Sequence, residues 1–326
     1  MKRQSIVLLI VAILIFFFLF HLFYGNFELF KSFFSSHNYS KIIEEKWLIT
    51  KEIRFPRTII SVFAGSGLAV AGLLLQTFFN NELAGPSVLG ITSGASLFIS
   101  LSVFTGFTFF QESNGLFLSA LTGSAFVCLI ILFFSTYLKN KISLLLLGIM
   151  LGSFINSFIQ ILEIKSSEIN IKLYTFWGLG SLQHFDVSNI FMISIVFFCC
   201  IILLFFLIKP LNLLLLGEKE LILNGYSFLR IKWLVILISS TLTAVITAYC
   251  GPIAFIGLAV PNICRLIFRT SSHSTLLLFS ALLGSLFLIF CDSLVLMFEN
   301  WILLPINAIT SLFGAPIVIW ILLKKW

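Results

Sequence analysis

The sequence predicts an all-α polytopic membrane protein with about ten transmembrane helices in a single domain. Of its 326 residues, 60% are apolar and only 10% carry a formal charge, whereas soluble domains are roughly 45–50% apolar and about 25% charged. Apolar runs of about 20 residues, the length that spans a bilayer, recur along the whole chain. This composition excludes an ordinary soluble enzyme and leaves little room for a soluble domain.

Ten apolar runs define the predicted spans. They cover residues 6–24, 57–79, 89–110, 115–137, 142–163, 189–208, 233–250, 254–270, 275–298 and 306–323. The first run is longer than the apolar part of a signal peptide, and no small-residue cleavage site follows it, so we interpret it as a transmembrane helix. Pro252 and Pro261 interrupt the eighth run, which makes its ends the hardest to place.

The basic residues are unevenly distributed between the two sides of the membrane. With ten spans both termini share a side, and that side holds twelve of the 20 Lys and Arg residues but only three acids. These twelve are Lys2, Arg3, Lys139, Lys141, Lys209, Lys219, Arg230, Lys232, Arg265, Arg269, Lys324 and Lys325. Because short cytoplasmic loops are enriched in Lys and Arg, we expect both termini to be cytoplasmic. The uneven distribution of Lys and Arg reflects the orientation of the chain in the membrane, and we expect no nucleic-acid partner.

Two long connections fall on the predicted outer side. The polar segment 25–55 is predicted to be an outer loop, which ends with Arg54 and Arg57 at the mouth of the second span. The segment 164–188 is rich in aromatic and aliphatic residues, which favours a short helix lying at the membrane interface.

Two further connections fall on the predicted cytoplasmic side. The segment 80–88 is predicted to be a tight turn. The segment 209–232 predicts two short amphipathic helices separated at Gly217 and Gly225. Because this segment is too short to span the membrane and too apolar to be free in solution, it indicates a surface that docks a partner.

Polar stripes follow one face of the fifth and tenth spans. In the fifth span the stripe comprises Ser153, Asn156, Ser157 and Gln160, and in the tenth it comprises Asn307, Thr310 and Ser311. Unpaired amides cost several kcal/mol in hydrocarbon, so both stripes must face other helices or water. Two interpretations remain open: hydrogen bonding between helices, or a solvated path that these residues line.

The remaining residues that could take part in catalysis or metal binding give no indication of an enzyme. Asp292 is the one acid deep in a span, so it is either a functional carboxylate or a buried acid bonded to a neighbouring helix. The six cysteines lie in or beside apolar spans without the spacing of a metal site, so we interpret them as small buried hydrophobes. Because the chain has no phosphate-binding loop and no metal-ligand cluster, we expect no cofactor in it.

Five stretches, taken in order, carry a resemblance to a known family. They are Arg54–Thr58 running on to Gln76; Asn81–Gly90; Leu216–Glu218 with Gly225; Gly251–Leu258 with Pro261; and Leu304–Pro305 with Gly314–Pro316. Their order and separation resemble those of the permeases of iron-chelate and vitamin B12 ABC importers. The resemblance extends over nearly the whole chain.

The resemblance implies a type II ABC importer permease in which spans 2–5 and 7–10 form a pseudo-repeat. A faint echo between Gly85-Pro86 and Gly251-Pro252 fits such a repeat. The family forms dimers of permeases around a central path. Two cytoplasmic ATPase subunits bind ATP and Mg, and a periplasmic or lipid-anchored protein delivers the substrate. The expected location is the bacterial cytoplasmic membrane.

The resemblance also implies roles for individual residues. Arg54 and Arg57 match arginines that pair with acids of the binding protein, and Asn81 and Leu83 match a cytoplasmic gate. Gly217, Glu218 and Gly225 match the segment that couples to the ATPase, and the stripe of the fifth span falls where the family lines its path. Departures from the family pattern include Asn262 for His, Leu296 for a third outer arginine, and Leu221 and Asn224, which suggest a matched ATPase.

Family breadth makes a ferric siderophore the first expectation for the substrate, with heme, vitamin B12 or an oxyanion such as molybdate as alternatives. A proton-driven secondary carrier is a competing class, but it needs a chain of intramembrane acids or histidines. A membrane scaffold without transport is disfavoured by the polar stripes.

Overall fold

The computed structural model describes residues 3–25, 46–106, 115–138, 140–182, 187–299 and 301–325. Every long regular element in these residues is helical. The helices are α1 Arg3–Phe23, α2 Phe55–Phe79, α3 Ile91–Thr105, α4 Gly115–Tyr137, α5 Lys141–Ile164, α6 Glu168–Gly178, α7 Val187–Leu214, α8 Glu218–Leu223, α9 Phe228–Cys250, α10 Ile256–Phe268, α11 His273–Phe298 and α12 Ile306–Lys325.

Ten of these helices correspond, in order, to the ten predicted spans. Seven helical runs within the described ranges are long and apolar enough to cross a membrane. The three others are shorter apolar helices, α3, α10 and the segment 306–321 of α12. The all-helical membrane fold is therefore confirmed, and the two remaining helices, α6 and α8, are the short elements between spans.

The predicted repeat has a structural counterpart in the order of helix lengths. A long helix (α2 or α9) is followed by a break, then by a short helix of 15 or 13 residues (α3 or α10), and then by two long helices. A 3₁₀ turn at Pro86–Leu89 forms part of the first break. In the second break Phe255 adopts a left-handed conformation, with φ of 67°.

The predicted outer loop 25–55 is partly wrong. Residues 46–54 are helical and run directly into α2, so that Lys46–Phe79 forms one helical run of 34 residues. This run contains a turn of π-helix at Thr50–Arg54, directly before Pro56, which has no N–H to donate to the preceding turn. Residues 26–45 lie outside the described part of the chain.

The predicted pair of cytoplasmic helices in segment 209–232 is also partly wrong. Residues 209–214 continue α7 in spite of Pro210, because Leu211 and Leu214 are buried in the core and packing outweighs the lost hydrogen bond. Only α8 stands alone. It is bounded by Gly217 and Gly225, whose φ values of 118° and 83° suit glycine.

The predicted interfacial helix in segment 164–188 corresponds to α6. The hydroxyl of Ser167 caps α6 by accepting a hydrogen bond from the backbone N–H of Asn170, at 3.3 Å. Residues 183–186 lie outside the described ranges.

Contacts between helix ends show that successive spans alternate in direction. The end of α1, the start of α2 and the end of α11 meet through His21, Arg57 and Asp292. The starts of α5 and α9 meet the end of α2 around Lys141. The first meeting point is called the predicted outer end below, and the second the predicted cytoplasmic end.

Small residues allow the central helices to pack backbone against backbone. A Cβ atom built on Gly65 of α2 lies 2.2 Å from the carbonyl oxygen of Gly284 in α11, and one built on Gly72 lies 1.7 Å from that of Gly257 in α10. Neither space admits a side chain. Such contacts are typical of helices in lipid, where close packing replaces the hydrophobic drive for association.

Replacing Gly72 with alanine is expected to destabilise the fold by about 1–3 kcal/mol, because the added methyl overlaps the α10 backbone and forces the helices apart. Thermal unfolding in detergent measures the effect. Gly178→Ala is the matched control, because a Cβ there meets nothing within 4 Å. Equal melting temperatures for the two variants would contradict the prediction.

Candidate functional site

Arg57 and Asp292 form a buried ion pair at the predicted outer end. The Nε and Nη2 atoms of Arg57 donate to the two carboxylate oxygens of Asp292 at 2.8 and 2.7 Å. The side chains are 4% and 1% exposed. This fork-like geometry satisfies both charges at once, which a buried pair needs to offset its loss of hydration.

His21 completes this outer cluster and ties α1 to the pair. Its Nε2 lies 2.7 Å from Oδ2 of Asp292, and its Nδ1 lies 2.7 Å from the hydroxyl oxygen of Thr58. Of the two interpretations of Asp292, the structure favours the buried acid bonded to neighbouring helices. The outer cluster of His21, Arg57, Thr58 and Asp292 joins α1, α2 and α11.

Arg57, which the resemblance assigns to docking a binding protein, is paired in this structure with an acid of its own chain. Leu296, where the family pattern has another outer arginine, is also buried, at 3% exposure. Arg54 is half-buried, and its Nη1 atom, itself buried, has no hydrogen-bond partner among the described residues. The docking role of Arg54 stays a prediction.

A cavity of about 350 Å³ opens beside the outer cluster. Arg57 and Asp292 line it on one side, and Trp177, Ser181 and Pro305 line it on the other. The interfacial helix α6 thus covers the region where the outer cluster approaches the surface.

The polar stripe of α5 faces away from the rest of the chain. Ser153, Asn156, Ser157 and Gln160 are all exposed, while Ile155 and Ile159 on the opposite face are buried. The two serine hydroxyls donate to carbonyl oxygens of their own helix. Because amides facing hydrocarbon are costly, this face requires a second protein surface or water. Packing within this chain does not explain the α5 stripe, whose role as a path stays a prediction.

The stripe of α12 is largely engaged inside the chain. Thr310 is fully buried and donates to the carbonyl of Asn307. The Oδ1 atom of Asn307 accepts from the N–H of Ala254 at 3.1 Å, next to the start of α10. The prediction that Thr310 lines a path is wrong in this structure, and Asn307 holds the second break instead. Ser311 is half-buried.

The predicted gate loop is a compact turn after α2. The Oδ1 atom of Asn81 accepts from the N–H of Leu83 at 2.9 Å, an arrangement that closes such turns. Both side chains are exposed, Leu83 to 44%. Beyond the turn, a Cβ built on Gly148 of α5 lies 2.7 Å from the carbonyl oxygen of Val88, so α5 rests directly on the backbone that follows the gate.

A polar network supports the gate loop from α10. The Nδ2 atom of Asn262 donates to the carbonyl of Glu82 at 3.0 Å. Nη1 of Arg265 donates to Oδ1 of Asn262 at 2.9 Å and to Oε1 of Gln76 at 2.5 Å. Asn262 therefore takes a defined role in holding the gate, although it departs from the family pattern.

The coupling helix α8 is bonded to the base of α5. Oε1 of Glu218 lies 3.3 Å from Nζ of Lys141, the first residue of α5. The Lys141 ammonium also lies 5.4 and 5.5 Å from the ring centres of Phe78 and Phe228, within range of a cation–π interaction. The Lys141 side chain thus contacts α8, the end of α2 and the start of α9.

Leu221 anchors α8 rather than facing a partner. It is fully buried in the core, whereas Leu216, Ile222 and Leu223 are 59–79% exposed. The departure from the family pattern at Leu221 therefore lies in the core of this chain, and the suggestion of a matched ATPase stays a prediction. Asn224 is exposed and donates to the carbonyl of Glu220. The exposed leucine and isoleucine side chains form an apolar surface at and beside α8.

Within the described ranges, no group of three or more His, Cys, Asp and Glu residues has the geometry of a metal site. Five of the six cysteines are buried, but Cys199 is exposed on α7, which corrects its interpretation as a buried hydrophobe.

Sequence reasoning missed the partners of several polar residues. It assigned no role to His21 and His273, although both are buried and hydrogen-bonded at the ends of spans. A usable signal for the outer cluster was available: Arg57, His21 and Asp292 all fall at the same predicted end of three spans, where lone charges are costly.

Comparison with known proteins places the chain among transporters. The sequence model described as the FecCD transport family matches residues 8–324. The molybdate import system permease protein MolB of Haemophilus influenzae is 31% identical over 82% of this chain and 78% of its own length. The hemin transport system permease protein HmuU of Yersinia pestis is 31% identical, over 86% of this chain and 84% of its own length.

A solved structure shares the whole architecture. An ABC transporter described as of the metal-chelate type, in an inward-facing conformation, superposes with a TM-score of 0.86 at 27% identity. The match covers 99% of this chain and all of the other.

Proposed function

This chain belongs to the FecCD transport family, and we propose that it forms the membrane path for an iron chelate, with a ferric siderophore as the first choice. It is a permease of an ABC importer and not an enzyme, since ATP hydrolysis in these systems resides on a separate subunit. The alternative substrates are heme, vitamin B12 and an oxyanion such as molybdate.

The chemistry of the exposed face of α5 supports a chelate over an oxyanion, and family breadth makes the ferric siderophore the first choice among the chelates. Its polar groups are the neutral hydroxyls and amides of Ser153, Asn156, Ser157 and Gln160, and large apolar side chains such as Met150 and Phe154 flank them. A neutral, mixed surface suits a bulky chelate with both polar and apolar faces. A small oxyanion would be better served by cationic donors.

The same exposed surfaces support the assembly. A second permease, identical or closely similar, covers the α5 stripe and encloses the path. Two ATPase subunits, which bind ATP and Mg, dock on the apolar surface of α8, and a periplasmic or lipid-anchored binding protein docks at Arg54. Lipid surrounds the remaining helices. The protein then lies in the bacterial cytoplasmic membrane with both termini cytoplasmic.

Transport follows from movement alone, without a covalent step in this chain. ATP binding and hydrolysis shift α8. The Glu218–Lys141 pair transfers the shift to α5. Because Gly148 of α5 contacts the backbone of Val88, the segment after the gate moves together with α5. The path then opens alternately to the two sides.

The proposal is tested in proteoliposomes that contain the permease, its ATPase subunits and its binding protein. ATP-dependent uptake of a radio-iron-loaded siderophore is expected, with heme, vitamin B12 and molybdate supplied in parallel. Uptake of one of these three and none of the siderophore would overturn the choice of substrate. Uptake that persists without ATP and stops when the proton gradient is collapsed would overturn the importer mechanism in favour of a secondary carrier.

Replacing Arg54 with glutamate is expected to weaken the stimulation of ATP hydrolysis by the binding protein roughly tenfold, because a partner acid then meets a like charge. The assay titrates binding protein into proteoliposomes. Lys51→Glu is the matched control, since Lys51 is exposed nearby and pairs weakly with Glu52 at 4.0 Å. Unchanged stimulation of the Arg54 variant would remove the docking role.

A further inference from the structure

At the predicted cytoplasmic end, close to the predicted gate loop, three side chains are linked in series by hydrogen bonds. The Oδ1 atom of Asn212, in α7, lies 2.9 Å from the backbone nitrogen and 2.8 Å from Nδ1 of His273, the first residue of α11. The Nε2 atom of His273 lies 2.9 Å from the hydroxyl oxygen of Thr77, in the last turn of α2. His273 is 1% exposed and Thr77 is 5% exposed.

One backbone group, the N–H of His273, fixes the donors and acceptors in this series of hydrogen bonds. The N–H of His273 must donate, so the atom of Asn212 that faces it is the amide oxygen. The same oxygen then accepts from Nδ1–H, which leaves Nε2 of the neutral ring as an acceptor. The hydroxyl of Thr77 consequently donates to Nε2. With an uncharged ring, every bond in the chain has a single direction.

The two ends of the chain lie next to different functional elements. Asn212 lies two residues before the end of α7, which leads through Gly217 into the coupling helix α8. Thr77 lies two residues before the end of α2, which leads into the gate turn at Asn81 and Leu83. His273 therefore connects the end of α7, which leads to the predicted coupling helix α8, with the end of α2, which leads to the predicted gate turn.

We propose that Asn212, His273 and Thr77 form a relay that couples displacement of the segment around α8 to the gate turn, with His273 as its positioning residue. The proposal rests on the assigned roles of α8 and the gate. It adds a second route to the one through Glu218 and Lys141: the first moves the path helix α5, and the relay moves the end of α2. Both routes start at the same segment, so path and gate respond to one event.

The relay is tested with a pair of variants at its gate end. Thr77→Val removes the hydroxyl at nearly constant volume, and Thr77→Ser keeps it. Thr243→Val is the matched control, because Thr243 is buried like Thr77 but, among the described residues, donates only to the carbonyl of Ser239 in its own helix. The complete transporter, with its ATPase subunits, is studied by hydrogen–deuterium exchange with and without ATP. This readout requires no knowledge of the substrate.

In wild type, ATP is expected to alter exchange in peptides covering both 213–226 and 80–90. In Thr77→Val the response of 213–226 persists while that of 80–90 falls roughly fivefold or more. Thr77→Ser and Thr243→Val behave as wild type. An unchanged response of 80–90 in Thr77→Val would overturn the relay.

Asn212→Leu tests the other end of the chain and is expected to give the same separation of the two responses. Thermal unfolding of each variant identifies general destabilisation, in which both peptides would exchange faster even without ATP, and this outcome also counts against the relay. The proposed function fails in a different way: wild type then takes up no ferric siderophore, while its ATP-dependent exchange at 80–90 is still measured.

Discussion

Replacing Asp292 with alanine is expected to lower the free energy of unfolding by about 3–5 kcal/mol, the largest effect on stability that we predict for a single side chain. The variant leaves the guanidinium of Arg57 buried at 4% exposure without its partner carboxylate. His21 loses its bond to the same carboxylate. Because the outer cluster joins α1, α2 and α11, the loss is expected to loosen all three helices at the predicted outer end.

The control for this prediction removes both charges. Arg57→Met combined with Asp292→Leu replaces the ion pair with apolar side chains of similar size, which in other proteins is often neutral or stabilising. The double variant is therefore expected to unfold at a higher temperature than Asp292→Ala, measured in the same detergent. A double variant less stable than the single one would show that the outer cluster stabilises through something other than charge pairing.

Reversing the charge of Glu218 is expected to uncouple ATP hydrolysis from uptake. Glu218→Lys places two ammonium groups where a carboxylate and an ammonium now lie 3.3 Å apart, so α8 loses its bond to α5. ATPase activity of the assembled transporter is expected to persist, while uptake per ATP hydrolysed falls roughly tenfold. The measurement compares phosphate release with substrate uptake in the same proteoliposomes.

Exchanging the two charged residues tests whether coupling requires the contact between them or the individual residues. Lys141→Glu combined with Glu218→Lys restores opposite charges between α8 and α5, and is expected to recover part of the coupling. Full recovery is not expected, because the ammonium then leaves its position beside the Phe78 and Phe228 rings. Normal uptake by Glu218→Lys alone would count against the coupling role.

The number and order of the spanning helices could be predicted from the sequence because apolar length is a local property. The prediction failed at the ends of two helices. Residues 209–214 extend α7 because Leu211 fits the core, and residues 46–54 are helical in a segment whose charges suggested a loop. Neither feature depends on local hydropathy.

The candidate site was predicted less completely, because exposure in a helix bundle depends on which faces meet. Two stripes of similar spacing ended in different environments: Asn156 on α5 is exposed, whereas Thr310 on α12 is buried. Likewise, the sequence pattern grouped Arg54 with Arg57, but a distant carboxylate, that of Asp292, engages only Arg57. Pairings between residues more than two hundred positions apart are set by the tertiary fold.

The close approach of Gly148 to the carbonyl of Val88 has a mechanical consequence. Two backbones in contact have no flexible side chain between them to absorb a difference in position, so we expect α5 and the 3₁₀ turn at Pro86–Leu89 to move together. The hydrogen bond of Thr77 to His273 holds the other end of the same connection. The loop between these two points is therefore fixed at both ends, and releasing either end is expected to let it lag behind the helices.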